Sequence, residues 1–166
     1  VMDEPERWTP LHFAADQNLV DVATLLIQNK ARVNISNKYK RMPLHIAAEK
    51  GNVDVARVLL QNKAQVNAEM NMRMTAFHLA ALEGHYNFAM LLVEYVFFSF
   101  TRHFSFTHTH THIRHGANVN KVTEENSTAL HMACQSGNLE FAKFLIRKGL
   151  DVSAVDKFGV TVLDEA

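Results

Sequence analysis

One short segment returns along this chain at a fixed interval. It reads Thr9, Pro10, Leu11, His12, then Met42, Pro43, Leu44, His45, then Thr75, Ala76, Phe77, His78, and then Thr128, Ala129, Leu130, His131. Leu11 to Leu44 and Leu44 to Phe77 are each 33 residues, whereas Phe77 to Leu130 is 53, one period plus 20. A fifth return, Thr161, Val162 and Leu163, falls 33 after Leu130. A unit of this length cannot bury a core of its own, so successive units must stack on one another into an elongated array. That constraint excludes most globular folds before any other residue is considered.

Each period reads as a turn, a short helix, a tight reversal, a second helix and an extended return. Thr9 suits an N-cap, and Pro10 suits the first helical position, where its missing N–H is no loss. The first helix stops at Gly51, Gly84 and Gly137, residues for which a left-handed backbone costs little, and at Asn18 in the first unit. The second helix carries matched apolar residues. Val20, Val22, Ala23, Leu26 and Ile27 correspond to Val53, Val55, Ala56, Leu59 and Leu60. Tyr86, Phe88, Ala89, Leu92 and Val93 follow in the third unit, and Leu139, Phe141, Ala142, Leu145 and Ile146 in the fourth.

This motif and period resemble those of the ankyrin-repeat family. The resemblance implies an all-α solenoid of stacked helix-turn-helix units with short β-turn or hairpin connections. The units fall at about 4–36, 37–69, 70–122, 123–155 and a truncated fifth at 156–166, with 95–114 inserted in the third. It also implies that His12, His45, His78 and His131 tie adjacent turns together by hydrogen bonds, a structural role. With one such histidine per unit, roughly 10 Å apart, they cannot share a metal ion. Cys134 fills the slot of Ala15, Ala48 and Ala81 and reads as a small buried thiol. Asn34, Asn67 and Asn120 are expected to hydrogen-bond the turn backbone.

Function follows the same resemblance. Ankyrin arrays bind proteins on a concave surface made of turn tips and the exposed side of the first helices, so this chain is expected to be a non-catalytic interaction scaffold with no cofactor. Carried over by position, the tips supply Pro5, Glu6 and Trp8, then Lys38, Tyr39 and Arg41, then Asn71, Met72 and Met74, then Glu124, Glu125 and Ser127. First-helix ends add Asp16, Gln17, Glu49, Lys50, Leu82, Glu83 and Gln135. Arg7, Lys40 and Arg73 stand at the tip position where the family most often has glycine. They read either as solvated turn residues or as a basic strip facing an acidic partner segment. Trp8, Tyr39, Met72 and Met74 are the side chains of a typical interface anchor.

Composition narrows the function class. With 17 basic and 17 acidic residues the chain has no net charge, which argues against nucleic acid as a partner. Its most apolar run, Phe88 to Phe100, contains Glu94 and is shorter than the roughly 20 residues of a membrane helix, so no membrane insertion is expected. One cysteine excludes an intramolecular disulfide and favours a reducing, cytoplasmic setting, with the nucleus as the other candidate. The sequence carries no glycine-rich phosphate loop, no Gly-x-Ser-x-Gly elbow and no Cys-x-x-Cys pair. A domain of this kind is expected to be monomeric.

The 20 extra residues, Tyr95 to Arg114, differ in texture from the rest. Joining Glu94 to His115 restores the repeat pattern, and the removed piece mixes phenylalanine beside serine with an alternating Thr-His run. Pyrimidine-rich codons and an ACACAC run would encode it, so it reads as a retained intron of 60 nucleotides, a reading that requires a GT at the Glu94/Tyr95 boundary. A rival reading is a metal-binding module. In an extended chain His108, His110 and His112 share one face, and His103 or His115 would complete a set suited to zinc, nickel or copper. A third is a genuine finger-like insertion used for binding, weakly ordered, with one extra turn added to the preceding helix.

Both ends are expected to be cut. No polar capping unit precedes Trp8, and the chain stops inside the first helix of the fifth unit, whereas solenoids need polar caps. On this reading the chain is a fragment, and the array could serve as the targeting or regulatory region of a larger enzyme, channel or signalling protein.

Overall fold

The computed structural model describes residues 7–101, 116–162 and 164. The candidate metal ligands His108, His110 and His112, with His103 and His115, and the first-tip residues Pro5 and Glu6 lie outside them. Helices come in pairs: α1 (Pro10–Asp16) with α2 (Val20–Gln28), α3 (Pro43–Lys50) with α4 (Val53–Gln61), α5 (Ala76–Leu82) with α6 (Tyr86–Thr101), and α7 (Ala129–Gln135) with α8 (Leu139–Arg147). The first helices stack in one row, α1 on α3, α3 on α5 and α5 on α7. The second helices back them, each against its own partner. Among the described residues the tips form two isolated antiparallel bridges, Val122 with Thr128 and Val155 with Thr161, and no longer strand.

The small residues of the first helices explain the close stack. Ala14, Ala15, Ala47, Ala48, Ala80, Ala81 and Ala133 are fully buried, so neighbouring backbones can approach, and Leu11, Leu44, Phe77 and Leu130 fill the space between rows. Burying each such large side chain contributes about 1.5–3 kcal/mol. In the second row Val55, Phe88 and Phe141 are buried by the preceding unit, whereas Val22, at the same position of the first unit, is exposed. Phe13 shows the same contrast with Ile46, Leu79 and Met132.

The expected caps are present. Thr9, Met42, Thr75 and Thr128 are the N-caps, and Gly51, Gly84 and Gly137 take φ of 69°, 72° and 69° where the first helices reverse, with Asn18 at 53°. At Gly51 a Cβ would stand 2.7 Å from His85 Nδ1, so the close approach of the next unit adds a second reason for glycine.

The second helix of the third unit differs from expectation. The other second helices have nine residues and end at Gln28, Gln61 and Arg147, before left-handed Lys30, Lys63 and Gly149. Helix α6 runs 16 residues to Thr101, seven past Glu94 rather than a single turn. The stop signal that belongs after Glu94, His115 with Gly116, has been displaced 20 residues downstream, and no glycine or proline intervenes. The repeat nonetheless closes in register across the gap. Ala117 N–H donates to Leu92 O at 3.1 Å, the same bond as Ala31 to Leu26 and Ala64 to Leu59.

Candidate protein-binding surface

Each tip is a short reversal whose main chain closes on itself. Asn37 N–H donates to Arg41 O, Met70 to Met74, Thr123 to Ser127 and Asp156 to Val160 at 2.8–3.0 Å, one such bond in each of the second to fifth units. Side chains reinforce them: Asn37 Oδ1 accepts from Tyr39 and Arg41, and Asp156 Oδ1 from Phe158 and Val160. Successive tips are then joined. Asn71 N–H reaches Tyr39 O, Glu124 N–H reaches Met72 O and Lys157 N–H reaches Glu125 O, so the tips form one hydrogen-bonded ridge.

The motif histidines anchor that ridge to the helices. His12 Nδ1 accepts from Thr9 N–H at 3.1 Å, which leaves Nε2 to donate to Arg41 O at 3.0 Å in the next tip. His45 joins Met42 to Ala68, His78 joins Thr75 to Lys121, and His131 joins Thr128 to Val160 in the same way. Burial holds His12, His45 and His78 below their usual pKa, with His45 at about 4, because a charged imidazole there would lose its hydration. In the fifth unit Asp164 takes the histidine slot, its carboxylate accepting from the N–H and hydroxyl of Thr161. Those bonds hold its pKa below the ordinary value.

A second set of side chains staples the helix reversals. Asn52 donates to Ala15 O and Asp16 O, and His85 donates to Glu49 O, each reaching the end of the preceding first helix. Asn34 and Asn67 bond not their own turns but the loops of the following unit: Asn34 to Lys63 O and Gln65 N, Asn67 to Gly116 O and Asn118 N. Asn67 thereby clamps the point at which the chain rejoins the array.

The residues expected on the partner surface divide in two. Tyr39 (38% exposed) and Met72 (52%) stand out from adjacent tips, with Lys38 Nζ 4.9 Å from the centre of the Tyr39 ring. Asn71, Glu124, Glu83, Gln17 and Gln135 are exposed as well. Met74 and Leu82 pack against the core, and Ser127 belongs to the turn itself. Trp8 acts locally. It precedes the N-cap and lies 5.1 Å, ring to ring, from Phe13 at the fourth helical position, a hydrophobic staple that fixes how the chain enters α1.

Ion pairs run across the surface. Arg41 pairs with Glu49, Lys50 with Asp16 at 3.8 Å and Lys157 with Glu125 at 2.9 Å. Glu69 serves two cations, Lys121 and Arg73, and the Lys121 bond is the main cause of its lowered pKa. Lys157 and the 67%-exposed Phe158 extend the surface beyond the residues expected from sequence. A signal for them exists, because Asp156, Lys157 and Phe158 repeat the order of Asn37, Lys38 and Tyr39.

Among the described residues no group of three or more histidine, cysteine or acidic side chains is placed to hold a metal ion, and no helix is long and apolar enough to cross a membrane.

The family profile described as Ankyrin repeats (3 copies) matches residues 11–103 and 107–166, nearly the whole chain. The chain belongs to the ankyrin-repeat family. It is also similar to the Ankyrin repeat and LEM domain-containing protein 1 homolog of Caenorhabditis elegans, with 39% identity over 51 residues, which are 31% of this chain and 7% of that protein. Ankyrin repeats are generally protein-protein interaction modules, and the family is typically non-enzymatic. The stacked helix pairs and their motif histidines are the scaffold of an ankyrin array.

Proposed function

We propose that this ankyrin array is a non-catalytic protein-binding domain that takes its partner on the tip ridge and the adjoining ends of the first helices. Residues 1–166 act as one domain on this reading, with units at 4–36, 37–69, 70–122, 123–155 and the opening part of a fifth. The observation that carries it is the hydrogen-bonded ridge itself, with Tyr39 and Met72 exposed on consecutive tips. A surface fixed by main-chain bonds loses little conformational entropy when a partner docks, and large, adaptable side chains on it supply the anchoring area. The flanking Arg41–Glu49 and Lys50–Asp16 pairs hold polar groups at its rim.

Affinity capture from the source cells tests this. The Tyr39→Ala/Met72→Ala variant is expected to lose at least tenfold of the captured partner while keeping its helical circular dichroism, because both side chains stand outside the core. Undiminished capture by that variant would move the interface elsewhere.

A further inference from the structure

One slot of the tip ridge combines backbone strain with charge. Arg7, Lys40 and Arg73 occupy it in three consecutive units at φ of 55°, 59° and 57°, a left-handed conformation that is costly for a side-chain-bearing residue. In the fifth unit the same slot holds Gly159 at φ 79°, and a Cβ built there meets nothing within 4 Å. Side chains in this slot thus project into open space, and glycine would fit all three positions with less strain. Packing gives no reason for the three long cations.

The charge of Lys40 and Arg73 is not cancelled locally. Arg73 lies 3.7 Å from Glu69, but that carboxylate is also bonded to Lys121, which leaves one positive charge over. Lys40 is exposed and flanked by Lys38. The fourth tip reverses the pattern with Glu124 and Glu125, and its slot holds the neutral Asn126. Arg7 follows Glu4 and Glu6, so the basic stretch lies on the second and third tips and ends before the fourth. Tyr39 and Met72 each directly precede a cation of the strip.

We propose that Lys40 and Arg73 form a docking strip for an extended acidic segment of a protein partner. This rests on reading the tip ridge as the partner surface. Stacked helices lie about 8–10 Å apart and an extended chain advances about 3.3 Å per residue, so such a segment meets one cation about every third residue. Its apolar residues between the carboxylates seat on Tyr39 and Met72.

The test uses the full chain and a fluorescent peptide of four Glu-Leu-Ser triplets, with a control in which glutamine replaces each glutamate. The glutamate peptide is expected to bind at least tenfold more tightly at ~0.05 M salt and to lose that advantage near 0.5 M. Lys40→Gly/Arg73→Gly is expected to weaken its binding about fivefold while raising Tm by about 2–4 °C per substitution. Lys40→Gln/Arg73→Gln, which keeps the strained backbone, should lose the same binding without that rise. Equal binding of the two peptides, unchanged binding by both variants, or preference for a single-stranded oligonucleotide over the glutamate peptide overturns the proposal. Failure here with capture through Tyr39 and Met72 intact would remove the acidic strip and leave the protein-binding reading standing.

Discussion

Lowering the pH from 7 to 4 is expected to strip about 3 kcal/mol from the stability of the array through His45 alone, given its folded pKa of about 4 against the usual 6.5. The sign follows from the depressed value. The unfolded chain takes up a proton as the pH falls through 6.5 while the folded histidine does not, so stability is full above 6.5, declines down to about 4 and levels off below. The cause is burial first, with the nearby Arg41 and His12 adding repulsion against the bond to Ala68 O. Protonation would also destroy the acceptor that Nδ1 offers to Met42 N–H. His12 and His78 shift in the same direction and add to the loss. Glu69 and Asp164 are held below the ordinary carboxylate range, so their contributions begin to be lost only below about pH 5, and the decline between pH 6.5 and 5 belongs to the histidines. Urea unfolding at pH 7.5, 6, 5 and 4 measures it; a midpoint that stays constant over that range would show that His45 titrates as an exposed imidazole.

The second large effect is expected at Phe141. Its ring is buried and meets Phe77 at 6.1 Å, Tyr86 at 6.4 Å and Phe144 at 6.1 Å, so one side chain bridges the third and fourth units. Phe141→Ala leaves a cavity there and should cost about 4 kcal/mol, a large share of a typical domain's 5–15 kcal/mol. Because each unit contacts only its neighbours, the loss should uncouple α7 and α8 from the rest and split the unfolding transition into two steps. Phe141→Leu, which keeps most of the volume, should cost under about 1.5 kcal/mol and retain a single step. A single, unshifted transition for Phe141→Ala would contradict the role given to this ring.

The parts of the fold that are legible in the sequence are those encoded within one unit and written several times over. Thr9, Pro10 and His12, then Gly51, Gly84 and Gly137, each state a local backbone requirement, and repetition separates requirement from accident. Long-range placement is less legible. Trp8 sits at a position that is both tip and helix entrance, and composition does not tell that it folds back on Phe13. The pairing of Glu69 with Lys121 crosses the 20-residue insertion, so no local spacing points to it. The extra seven residues of α6 follow from a displaced stop signal, visible only once the helix is seen to continue. Lys157 and Phe158 escape a reading that takes the fifth unit as a remnant, although its tip is complete.

A photo-cross-linking residue placed in turn at position 39 on the second tip and at position 57 on the exposed side of α4 tests the binding surface most directly. Irradiation in source-cell extract should give a discrete protein adduct from position 39 and none from position 57. An adduct from position 57 with none from position 39 would contradict the assignment of the partner to the tip ridge.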